Sequence, residues 1–142
     1  MLSLVADKTD NLVLVTDSSG VVVWVNNAFV RITGYAIHEL AGRQLEDVLR
    51  EMATSLDSRR ELVGALQLSH GVTEETQFRR KGGSLIWTLL TLTPVTDESG
   101  NISRWVGVGT DITKQRQAHE VLEKARETAE SASRAKSEFL AN

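Results

Sequence analysis

Cysteine is absent from this 142-residue chain. No disulfide framework and no thiol chemistry can therefore arise within it. Proline occurs once, at Pro94. A proline has no N–H to donate, so Pro94 is expected near a strand end or a bulge. Basic excess is missing too: 16 Lys and Arg stand against 19 Asp and Glu, a net charge of -3. That balance leaves no basis for a nucleic-acid footprint. No apolar run reaches the length of a membrane span, and the N-terminus lacks a basic stretch followed by an apolar run and a cleavage site. A cytoplasmic chain without direct membrane contact is expected, although a fragment of a longer, membrane-anchored protein would read the same way. A Gly-rich phosphate loop is also lacking.

The length suits one domain with an appendage. The chain is organised around a ladder from Gly83 to Thr113. Ser84–Val95 is rich in β-branched and aromatic residues, Ile102–Asp111 is a second strand, and Asp97-Glu98-Ser99-Gly100 has hairpin-turn chemistry. Upstream, Asn11–Thr16 and Val21–Val25 flank the tight turn Asp17–Gly20 and predict another hairpin. These continuous apolar runs imply burial on both faces, or a subunit contact on one. Asn27 is a candidate cap for a helix over Ala28–Ile32, stopped by Gly34. Short helical pieces follow at His38–Ala41 and around Leu45, Val48 and Leu49. A longer helix over Ser55–Leu68 has the apolar stripe Leu56, Leu62, Val63, Ala65 and Leu66. Val72–Arg79 alternates as a strand and turns through Lys81-Gly82-Gly83 into the ladder. The order predicts an α+β fold with helices on one face of a sheet.

After Thr113 the pattern changes. Gln115–Ala141 contains no glycine or proline. Ala118, Leu122, Ala125, Ala129, Ala132, Lys136 and Phe139 recur at heptad spacing, which predicts a helix with a coiled-coil seam. The seam is alanine-rich and includes a lysine, so it is expected to be weak, as suits a segment that changes register.

Several fragments together resemble a PAS sensory domain. They are Thr16–Val21, Val25-Asn26-Asn27-Ala28-Phe29, Ile32-Thr33-Gly34-Tyr35, Glu39–Arg43, Arg79–Trp87, Pro94-Val95, and Trp105–Val108 with Thr110-Asp111-Ile112-Thr113. The resemblance implies a five-stranded antiparallel sheet in the order 2-1-5-4-3, with short helices on one face, followed by a long C-terminal helix. It divides the chain into a lead or helix stub over 1–9, a PAS domain over 10–113 and a signalling helix over 114–142. Ser133–Asn142 resembles the run-in to the phosphoacceptor helix of sensor histidine kinases, and the chain ends before the acceptor histidine. A non-enzymatic sensory, relay and dimerisation module of a bacterial two-component histidine kinase is thereby implied. Its partners would be a second copy and the kinase domain of the parent protein, with a small-molecule ligand as a further candidate.

The resemblance also bears on cofactors. In the flavin-dependent PAS subgroup a cysteine stands where this chain has Leu45, and amides stand where it has Phe78, Thr88 and Gly109. A cysteinyl-adduct photocycle is excluded chemically. His70, the nearest candidate for a haem ligand, sits at a helix end beside Gly71, where it meets the helix dipole. No bound cofactor is expected, with an FAD- or haem-binding redox or gas sensor as the alternative. His38 and His119 have no second ligand at a metal spacing. The acids Asp17, Asp47, Asp57 and Asp97 read as turn and surface residues, and no nucleophile, base and orienting group converge. Asp111, Ile112 and Thr113 are the expected coupling residues, with Asp111 or Thr113 able to cap the exit helix. Val23, Phe29, Leu45, Leu66, Phe78, Trp87 and Leu90 are the candidates to line a pocket or to fill a solid core.

Overall fold

Two turns of one chemistry shape the sheet. In the computed structural model, which describes residues 10–141, the Asp17 carboxylate accepts from the N–H of Ser19 at 2.9 Å and of Val21 at 3.0 Å. Asp97 repeats this with Ser99 at 2.9 Å and Asn101 at 3.0 Å. Gly20 and Gly100 close the two turns at φ of 82° and 83°, a conformation that other residues adopt at a cost. The expected lead over 1–9 lies outside the described residues.

The first turn joins β1 (Leu12–Thr16) to β2 (Val22–Val25), and the second joins β4 (Leu85–Thr96) to β5 (Ile102–Asp111). With β3 (Val72–Arg79) they form one antiparallel sheet in the order β2-β1-β5-β4-β3. The expected α+β architecture and strand order are therefore present. Pro94 lies opposite Trp105, next to a register shift at Val95/Thr96, where a missing donor is tolerated. All five residues of β1 are buried. Leu12 and Leu14 enter the main core, whereas Val13 and Val15 pack with Trp24 and Val106 on the other face.

Among the described residues, four helices complete this unit: α1 (Asn27–Thr33), α2 (Ile37–Leu40), α3 (Leu45–Met52) and α4 (Leu56–Gln67). The cap of α1 is Asn26 and not the expected Asn27, and the reason is visible in its bonding. Asn26 Oδ1 accepts from Phe29 N and from Val13 N, both at 2.9 Å, and its Nδ2 donates to Asn11 O at 2.9 Å. One buried amide thus ends β2, caps α1 and holds β1. Helix α3 turns Leu45, Val48, Leu49 and Met52 inward. In α4 the inward positions are Ser58, Leu62, Val63 and Ala65. Leu56, expected in that stripe, is instead 57% exposed. Two residues, about 200° of helical turn, separate it from inward-facing Ser58.

Thr113–Asn142 forms a second unit. Its helix α5 (Thr113–Ala141) has 29 residues, a length of about 43 Å. Arg126 bridges Glu123 at 3.0 Å and Glu130 at 2.6 Å along it. Among the described residues no helix is long and apolar enough to cross a membrane.

Candidate functional site

Alternation along β4 decides what faces the helices. Ile86, Thr88, Leu90 and Leu92 are buried, while Leu85 and Leu89 are exposed and Trp87 is half-buried. Between this inner face and helices α1 and α3 lies an apolar chamber of about 30 Å³, lined by Leu12, Leu14, Phe29, Leu45, Phe78 and Leu90 among others. That volume is close to the share of about one liquid water. Two glycines of β5 keep the inner face open to neighbouring side chains. A Cβ at Gly109 would stand 2.8 Å from Leu12 Cδ1 and from Thr88 Cγ2, and one at Gly107 would stand 3.2 Å from Leu92 Cδ2.

Polarity enters this face through two threonines that pattern reading did not single out together. Thr76 and Thr88 are cross-strand partners on β3 and β4, and both are fully buried. Neither side-chain hydroxyl has a hydrogen-bond partner. They adjoin the chamber residues Phe78 and Leu90 on the same face. An unpartnered buried hydroxyl costs free energy, so such groups mark either strain or a site for a missing partner. The available signal was threonine at inward positions of two apolar strands.

The structure brings Phe29, Leu45, Phe78 and Leu90 together at the chamber. It places the other three candidates elsewhere. Val23 is 50% exposed, because the inward positions of β2 are Val22 and Val25. Trp87 lies between the inward-facing Ile86 and Thr88, and therefore on the opposite face of β4. Leu66 packs against the edge of the core and lines a separate polar cleft.

The chamber is tied to the end of β5. Thr88 pairs with Asp111, and Ile112 N–H donates to Trp87 O at 2.8 Å. The expected coupling residues Asp111 and Ile112 thus contact β4 at the position of the orphan hydroxyl. On the helix side, Lys81 Nζ meets the Glu39 carboxylate at 2.8 Å. Its hydrogen bond, with that of the Ala36 N–H, holds the Glu39 pKa below its ordinary value. The seam residues Ala118, Leu122, Ala125, Ala129, Ala132 and Phe139 are all on α5; Leu122 and Phe139 are largely exposed. Among the described residues no group of His, Cys, Asp and Glu is placed to hold a metal. His70 Nδ1 lies 3.1 Å from its neighbour's carbonyl, Gly71 O, on the surface.

Residues 10–114 match the PAS domain family. The chain belongs to that family. The PAS fold accounts for the whole sheet and its covering helices, and residues 10–141 contain no kinase domain. A blue-light-activated histidine kinase of Rhizobium johnstonii is 33% identical over 95 residues, covering 67% of this chain and 27% of that protein. An RNA-binding light-oxygen-voltage receptor matches with a TM-score of 0.75 and 25% identity, over 92% of this chain and 37% of that one. A light-oxygen-voltage domain described with a flavin analogue matches with a TM-score of 0.65 and 20% identity, over 82% of this chain and 88% of that one. The PAS chain spans about a sixth of the length of several curated relatives, 17%, 16% and 15%. It is a sensory module related to histidine-kinase-class and light-oxygen-voltage proteins. These neighbours overturn the expectation that no cofactor is bound, because that expectation weighed the missing cysteine and amides without the structural kinship to flavin-type domains.

Proposed function

We propose that this PAS domain is the ligand-binding sensory module of a histidine-kinase-class protein, and that its ligand is a flavin-type ring held without a covalent bond. The kinship to light-oxygen-voltage proteins supports the ligand class. The observation that carries the site is the pair of unpartnered hydroxyls at Thr76 and Thr88 beside an apolar chamber. Hydroxyls both donate and accept, so they suit the mixed carbonyl and imine edge of such a ring. The apolar lining, which includes Phe29 and Phe78, suits a ring face, and the absence of cysteine rules out a cysteinyl adduct. When bound, the ring supplies redox or light chemistry. At about 30 Å³ the chamber admits a ring only if the helices over it move outward. That motion is the conformational signal in this reading: displaced helices and newly bonded Thr88 alter the β4 contact with Asp111 and Ile112, and with it the start of α5.

The small volume specifically favours a second reading, in which a compact apolar metabolite occupies the chamber. In both readings α5 pairs with that of a second copy through its Ala118–Phe139 seam and passes the change to the kinase domain of the parent protein. Equilibrium dialysis of the purified chain with riboflavin, FMN and FAD separates the readings. Retention of one of them that is lost in Leu90→Trp, which fills the chamber, supports the flavin reading. Failure to retain any of the three, with the fold intact, contradicts it.

A further inference from the structure

Thr110 is held from both of its neighbouring strands. On β4 it pairs with Leu89. On the β1 side the ladder ends at the Leu12–Gly109 pair, just short of it. A side-chain bond takes over there: the Thr110 hydroxyl donates to Asn11 Oδ1 at 3.2 Å. Asp111 and Ile112 follow, and α5 begins at Thr113.

Asn11 is also tied to the helix layer. Its backbone carbonyl accepts from Asn26 Nδ2 at 2.9 Å, and Asn26 Oδ1 accepts from Phe29 N at 2.9 Å. Phe29 is part of the chamber wall. Thr33, on the next turn of α1, lines the chamber as well, and its hydroxyl donates to Phe29 O at 2.8 Å. Hydrogen-bonded groups therefore run from the wall of the chamber through Asn26 and Asn11 to Thr110. Asn26 is fully buried, whereas Asn11 is half-buried. Parting a buried amide from its partners strands polar groups away from water, which costs more than shifting a partly solvated side chain. Displacement of the first turn of α1 is thus passed on to Asn11.

We infer that Asn11 and Thr110 form a second coupling route, which carries displacement of α1 at the chamber to the end of β5 from which α5 leaves. The route through Trp87 and Thr88 reaches Asp111 and Ile112 from β4; this one reaches Thr110 from the β1 side. Asn11 is a positioning residue, since it is not part of the chamber lining. The inference rests on the chamber being the sensory site, and holds whether its ligand is a flavin or a smaller metabolite.

The test is a mutant cycle on the whole chain, read by amide hydrogen exchange with no ligand present. Phe29→Leu perturbs the chamber wall, and the Ile112 amide, bonded to Trp87 O at 2.8 Å, reports on the end of β5. Amides of β3 report global opening. Phe29→Leu should change Ile112 exchange about fivefold or more beyond any change in β3. In the Thr110→Val and Asn11→Ala backgrounds that excess should fall below about twofold, as for uncoupled sites. Thr110→Ser, which keeps the hydroxyl, should preserve it. An excess of equal size in all four backgrounds would overturn the inference, as would no excess in the parent chain. Because the cycle contains no ligand, a failed flavin dialysis leaves its outcome unaffected, and a failed cycle leaves flavin retention unaffected.

Discussion

Thr76 and Thr88 face each other across β3 and β4, both fully buried, and neither hydroxyl is hydrogen-bonded. Replacing either by valine keeps the shape and removes the polar atom. Each of Thr76→Val and Thr88→Val should stabilise the ligand-free domain by about 1–2 kcal/mol. The pair is in contact, so the double variant should not be additive. Denaturant unfolding measures this, and the same variants should bind riboflavin more weakly than the parent.

Asn26 is the reverse case, a buried amide with all its bonds made. Asn26→Ala removes the cap of α1 and leaves the Val13 N–H and Asn11 carbonyl without their partner. The expected loss is about 2–4 kcal/mol. Asn27→Ala, at the position the pattern favoured, leaves the Asn26 bonds to Phe29 and Val13 in place and should cost less than Asn26→Ala. Thermal unfolding of the two variants side by side decides between them.

Gly109→Ala puts a methyl 2.8 Å from both Leu12 Cδ1 and Thr88 Cγ2. Overpacking of this kind costs about 1–3 kcal/mol. Calorimetry should show a lowered Tm for Gly109→Ala, whereas Gly82→Ala, with open space around it, should show little change.

The Glu39–Lys81 pair links α2 to the turn between β3 and β4. Glu39 has a lowered pKa in the folded state, through the Lys81 hydrogen bond first and the Ala36 N–H second. Its contribution is therefore fully present above the unfolded carboxylate pKa and is lost as pH falls through the lower, folded value. Lys81→Met should bring the Glu39 pKa back toward 4.5 in a carboxylate NMR titration. An unchanged titration would show that the pair does not form in solution.

Leu122 is 68% exposed and Phe139 81% exposed on α5. If the helix seam pairs two copies, Leu122→Glu should convert a dimer to a monomer in sedimentation velocity. A parent chain that is already monomeric at high concentration would count against the seam. In the proposed parent kinase, one residue inserted between Thr113 and Ala118 shifts the seam by a register step and should change output.

Much of this architecture was legible in the sequence because it rests on local chemistry. The Asp-x-Ser-Gly turns, the alternation of β3 and β4, and Gly34 after α1 each carry their own signal. Asn26 was not legible, since its choice over Asn27 depends on Val13 and Asn11, more than a dozen residues away. Val23 was misplaced because a run of three valines gives no phase, and only the Trp24–Val15 and Val25–Leu14 pairing fixes which side faces inward. The unpartnered hydroxyls were hidden for a deeper reason. A missing hydrogen bond is a property of surroundings in three dimensions, and no spacing encodes it. The cofactor expectation failed for a related cause: it counted the residues that differ from the flavin-dependent pattern and could not weigh the likeness of the backbone.

The most direct measurement is the visible absorbance spectrum of the chain after incubation with riboflavin, FMN and FAD and removal of free ligand. The account predicts a retained flavin spectrum that Leu90→Trp abolishes and that illumination does not convert to a cysteinyl adduct. A colourless protein, folded and saturated with none of the three, would contradict it.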